Sequence, residues 1–191
     1  LRTQKELSDH LKELGVDEPT IKEVLAKLLD LRLLDDQVYA NSFVRTQANL
    51  SDKGPTVIRQ KLRQKGIGEN LIDRALLEFP LEAQVANAKK LGQKLAKRHQ
   101  ASPLKIRQNK IITGIMTKGF SASVANSALE QLDLQVDPNQ ELVALTTQAK
   151  KAWRRYQRFD LKTRQLKTKQ ALYRKGFNLD EIDKVLAELA E

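Results

Sequence analysis

Residues 60–73 read QKLRQKGIGENLID, and residues 170–183 read QALYRKGFNLDEID. Both place a leucine four residues before a glycine, an apolar residue directly after it, and an isoleucine six residues after it. Two further windows follow the same pattern, one around Gly15 (DHLKELGVDEPTIKEVLAKL, from Asp9) and one around Gly119 (TGIMTKGFSASVANSALEQL, from Thr113). Gly15, Gly66, Gly119 and Gly176 lie at intervals in the range expected of helical arrays.

The pattern describes a helix that stops and restarts. Leu11, Leu62, Ile115 and Leu172 stand in the last turn of one helix. The glycine after it takes up the left-handed conformation without a Cβ clash, and Val16, Ile67, Phe120 or Phe177 folds back on that turn. Two residues past each glycine stand Asp17, Gly68, Ser121 and Asn178, all favoured N-cap types for a new helix. Ile21, Ile72, Ala125 and Ile182 then fall at its fourth position, within reach of the folded-back residue. Each glycine is therefore expected to form a short elbow between two helices.

A third helix is expected upstream of the last three elbows. Asp36 precedes QVYANSFVRTQANL, and Pro55 opens the helix that runs into Gly66. EAQVANAKKLGQKLAKRH is followed by Ser102-Pro103, and NQELVALTTQAKKAWRRYQRF by Asp160. Phe43, Ala96 and Trp153 share a place in this frame, as do Arg45, Arg98 and Arg155. The pattern predicts an all-α chain, an elongated array of tandem three-helix repeats over residues 1–34 (without its first helix), 35–80, 81–134 and 135–191. Gly114 falls inside a predicted helix, at a cost of about 1 kcal/mol relative to alanine.

Composition narrows the chemistry. The 191 residues include no cysteine, which excludes disulfides, thiolate nucleophiles and Cys-ligated metal sites. His10 and His99 have no histidine partner at ligand spacing, so no metal or cofactor is expected. The sequence has no phosphate-cradling GxxxxGK[ST], no HExxH and no serine elbow, and a non-enzymatic role is expected. No membrane-spanning run is present, which makes the cytoplasm the expected compartment.

Charge points to a partner. Lys and Arg number 34 against 24 Asp and Glu, a net +10. The excess is concentrated late in the chain: no acidic residue lies between Glu82 and Glu130, and from Lys150 to Lys175 only Asp160 interrupts the basic residues. A basic surface of Arg45, Lys97, Arg98, Lys105, Arg107, Lys110, Lys150, Lys151, Arg154, Arg155 and Arg158 is therefore expected to face phosphates or an acidic protein groove. Binding to single- or double-stranded DNA through it would be weak and salt-sensitive. Trp153, Tyr156 and Phe159 lie among these charges, but the place Trp153 shares with Phe43 and Ala96 assigns it to packing rather than base stacking.

The second frame, YANSFVRTQANLSDKGPTVIRQKLRQKGIGENLIDRAL, resembles the signature of the RecX family, bacterial regulators of the recombinase RecA. The matching residues are Tyr39, Ala40, Phe43, Val44, Arg45, Lys53, Gly54, Ile58, Leu62, Lys65, Gly66, Ile67, Ile72, Ala75 and Leu76. The resemblance implies a curved array that binds RecA and the RecA–DNA filament, lodges in the filament groove and inhibits RecA activity; a monomer is expected. A fourth elbow ahead of the usual three implies a longer member trimmed at its N-terminus. On residues alone, a general DNA-binding helical array and a scaffold for another protein stay open.

Overall fold

The computed structural model describes residues 2–100, 102–134 and 138–190. Among these residues there are eleven helices and no strand: α1 (Gln4–Glu13), α2 (Glu18–Asp30), α3 (Asp36–Leu50), α4 (Pro55–Gln64), α5 (Glu69–Leu76), α6 (Leu81–Arg98), α7 (Leu104–Thr117), α8 (Ala122–Glu130), α9 (Pro138–Arg155), α10 (Leu161–Arg174) and α11 (Leu179–Ala190). They divide into two compact units, Leu1–Leu91 with Ile115–Ala128, and Gly92–Gly114 with Leu129–Glu191.

Gly15, Gly66, Gly119 and Gly176 have φ of 80°, 81°, 90° and 85°, the left-handed conformation. At three of them the hydrogen bonds form the full helix-ending motif. Ile67 N donates to Leu62 O at 3.1 Å and Gly66 N to Arg63 O at 2.9 Å, and the same pairing recurs at Val16 with Gly15 and at Phe177 with Gly176. The restart follows at once. Asp17 caps α2 through Thr20 N, Ser121 accepts from Val124 N, and Asn178 accepts from Asp180 N.

Three elbows seat against the beginning of another helix, which the sequence reading did not anticipate. In the first unit, Gly54 N donates to Lys118 O at 2.7 Å and Thr56 N to Gly119 O at 3.1 Å, so the orphan carbonyls ending α7 satisfy orphan N–H groups opening α4. A Cβ on Gly54 would overlap the Gly119 carbonyl and the Phe120 nitrogen, and one on Gly119 would lie 2.7 Å from Val57 N. The elbow at Gly66 seats on α1: Thr3 Oγ1 donates to Lys65 O at 2.7 Å and Lys5 Nζ to Gln64 O at 3.2 Å. In the second unit the Gly176 elbow meets the start of α7, where a Cβ would fall 2.6 Å from Ile106 Cγ1. Around Gly15 that direction is open.

Two expected helix starts shift, and one glycine inside a helix has a packing role. α3 begins at Asp36 with Asp35 as its cap, and the Asp36 carboxylate is buried, accepting from Gln4 N at 2.9 Å. α7 begins at Leu104, after Pro103, and Leu104 N donates 3.2 Å to Glu141 Oε1 of α9. Gly114 is a close approach between helices: a Cβ there would lie 2.7 Å from Leu95 Cδ1, so alanine gains helix propensity at the expense of packing.

The α1–α4 joint also carries an ion pair. Glu6 accepts from Thr3 N at 3.1 Å within the α1 capping box and pairs with the Lys65 ammonium, which lies 5.7 Å from the centre of the Tyr39 ring. The Lys65 hydrogen bond first, then that from Thr3, holds the Glu6 carboxyl below its ordinary range, and the Lys65 ammonium is raised, chiefly by Glu6. A depressed carboxyl stabilises the fold above its unfolded value and loses that contribution as pH falls through the folded value. Thermal melts of Glu6→Gln should show a loss of at most about 1 kcal/mol at neutral pH, because the pair is about a third exposed. The gap from the parent should close on acidification below the ordinary glutamate range.

Candidate basic interface

The cations of the second unit project from helices whose other faces form its core. On α9, Leu145, Ala149 and Trp153 recur every four residues and are buried with Leu172, Phe177, Ile182, Val185 and Leu186. Lys150 and Arg154 form one row beside this stripe and Lys151 and Arg155 another, all exposed. α9 ends at Arg155, so Arg158 falls outside the helix that the sequence predicts over NQELVALTTQAKKAWRRYQRF. It lies exposed in the following turn with its guanidinium 5.4 Å from the Phe159 ring.

Other expected members distribute unevenly. Lys97 and Arg98 are exposed at the end of α6, and Lys105 at the start of α7; Lys110 is exposed and donates 3.2 Å to Ser102 Oγ. Arg107 is a correction: it is 9% exposed and belongs to the interior face of α7, in line with buried Ile111 and Ile115 at four-residue steps. Arg45 belongs to the first unit, where it is exposed and 3.7 Å from Glu78. Its charge is therefore partly offset.

Neutralisation separates the two units. In the first, Arg59 lies 2.8 Å from Glu69 and 2.5 Å from Asp73, Arg63 pairs with Glu69, and Lys12 with Glu18 at 3.2 Å. These cations are answered by acids on the neighbouring helix. In the second, Lys169 pairs with Asp183 at 2.6 Å, whereas Lys150, Lys151, Arg154, Arg155 and Arg158 make no ion pair among the described residues. By sequence that unit has 18 Lys and Arg against 10 Asp and Glu, and the first 16 against 14. The His99 imidazole registers the local field, held below its ordinary value by desolvation first and then by the Lys110 and Arg98 charges.

Trp153 is 8% exposed, with the Arg164 guanidinium 4.1 Å from its ring centre and Arg164 Nε donating 3.0 Å to Trp153 O. It is a packing residue and offers no face to a base. Tyr173, which sequence reasoning passed over, is exposed on α10. Its frame position held a usable signal: the residue three before each elbow glycine is Lys12, Arg63, Met116 or Tyr173, all exposed. Among the described residues no group of His, Asp and Glu is placed to hold a metal ion, and no helix is long and apolar enough to cross a membrane.

Comparison with known proteins agrees with this architecture. Profiles described as the first, second and third three-helix domains of RecX match residues 1–28, 35–76 and 139–186. The regulatory protein RecX of Levilactobacillus brevis is 46% identical over 191 residues, all of this chain and 72% of that protein. That of Bacillus mycoides is 40% identical over 183 residues, 96% of this chain and 68% of the relative. The crystal structure of RecX from Lactobacillus salivarius superposes with a TM-score of 0.68 at 42% identity, covering 71% of this chain and 88% of that one. A second crystal structure of regulatory protein RecX gives 0.66 at 44% identity, covering 69% of this chain and 64% of that one. With three matching domain profiles, alignment over nearly all of this chain at this identity and a shared helical fold, the chain belongs to the RecX family.

Proposed function

We propose that this chain is a non-enzymatic regulator of recombination and repair that binds RecA and the RecA–DNA filament and inhibits RecA. Family membership supports the partner. The observation that carries the binding mode is the exposed cation set Lys150, Lys151, Arg154, Arg155 and Arg158, which makes no ion pair among the described residues. Such a set has two natural counterparts, DNA phosphates and acidic side chains in a protein groove. Phosphate contact makes affinity fall with salt by about 0.7 in the logarithmic slope per single-strand phosphate neutralised.

RecA ATP turnover on single-stranded DNA, measured with and without the chain, tests the regulatory role; the expected result is lower turnover. Reversing Arg154, Arg155 and Arg158 to glutamate should weaken filament binding by tenfold or more and reduce the salt slope by roughly 2. Unchanged affinity and slope would reject this surface. Capture of RecA without DNA at moderate salt separates a RecA regulator from a general DNA-binding array, which would bind only DNA.

A further inference from the structure

Tyr173 is 51% exposed, and every other aromatic side chain among the described residues is buried or half-buried. Burial does not explain it. Its frame position faces solvent in each repeat, carrying Lys12, Arg63 and Met116 elsewhere. Nor does a hydrogen bond, because the phenol makes none among the described residues. Half the surface of a large apolar ring is left in water on the unit that carries most of the positive charge.

Its surroundings supply what a nucleic acid strand needs. Lys105, reaching from α7, places its ammonium 5.8 Å from the ring centre and makes no ion pair among the described residues. Exposed Arg174 and Lys175 follow in the chain, and exposed Lys162 and Leu166 precede it on α10. No acidic residue lies between Asp160 and Asp180. An aromatic face beside uncompensated cations is the arrangement that stacks an unpaired base while holding its phosphates.

We propose that Tyr173 is a stacking platform for an unpaired nucleobase of single-stranded nucleic acid, with Lys105 engaging the adjoining phosphate. The inference deepens the DNA-binding part of the proposed function and rests on it. The faces of paired bases are already covered by their neighbours, so this site distinguishes single strands from duplex. The phosphate-directed cations of α9 have no such means of discrimination.

The test uses the 191-residue chain with a fluorescent oligothymidylate and with a duplex of the same length. Tyr173→Ala should lose single-strand affinity on the order of 5- to 150-fold, with the salt slope and duplex affinity unchanged. Tyr173→Phe should bind as the parent does, because the face carries the contact. Lys105→Gln should lower the single-strand salt slope by about 0.7. An unchanged melting temperature for Tyr173→Ala establishes that the fold is intact.

If the parent binds the single strand and Tyr173→Ala binds equally well, the stacking site is wrong and the DNA-binding reading stands. If the parent itself does not bind, both fall. Equal losses on single strand and duplex, or a phenylalanine variant as weak as alanine, would overturn the proposal. So would loss of RecA capture in the alanine variant with DNA affinity intact, which would make Tyr173 a protein contact.

Discussion

Gly54→Ala should lower the stability of the first unit by about 3 kcal/mol or more, read from urea or thermal unfolding by circular dichroism. The new methyl group would overlap the Gly119 carbonyl and the Phe120 nitrogen. These are backbone atoms held by their own elbow, so no rotamer change relieves the overlap. Overpacking of this kind costs about 1–3 kcal/mol. Moving the elbow away sacrifices the Gly54–Lys118 and Thr56–Gly119 bonds at about 1 kcal/mol each. Gly68 is the control, since it too caps a helix (φ −70°) but has open space where a Cβ would go. Gly68→Ala should cost less than about 1 kcal/mol. Similar melting of the two variants would remove the seating of elbow on helix start as a source of stability.

Trp153→Ala should destabilise the second unit by about 3–5 kcal/mol, the range for removing a large aromatic side chain from a packed interior. The indole fills the space between α9 and the Leu172–Phe177–Ile182 cluster, and Arg164 stacks on it. Removal leaves both a cavity and a half-buried guanidinium without its aromatic partner. Because it is the one tryptophan of the chain, its emission reports this unit directly. The emission should be blue-shifted in the folded protein and unquenched by oligothymidylate. Quenching by direct stacking would contradict its burial.

The elbows were legible because every interaction that makes them is local. The glycine, the apolar residue after it, the leucine four before and the cap two after lie within about two turns of each other, in order along the sequence. The joints between elbows and helix starts were not legible. Gly54 and Gly119 are far apart in sequence, and a glycine at an N-cap has an ordinary local explanation that conceals the close approach.

The basic surface was legible in part. Exposed cations on α9 follow from the buried four-residue stripe opposite them. Arg107 departs from that surface because a count of charge along the chain carries no information about which side of the helix a residue occupies. Its alignment four and eight residues before buried Ile111 and Ile115 was the available clue. The same frame position holds buried Gly54 and half-buried Arg164, an inward position in each repeat. Tyr173 is the opposite case: no dense cluster of charge marks it in the sequence, and only its place in the frame identifies it as solvent-facing.

The Gly54–Gly119 joint is written in main-chain atoms, and that decides what mutation can alter. Side chains around it can change so long as a residue without a Cβ remains at both positions, whereas the Gly66 elbow seats through the side chains of Thr3 and Lys5. Substitution elsewhere in the frame can then retune surface chemistry repeat by repeat, one acquiring tyrosine where another keeps arginine, without resetting how the helices meet.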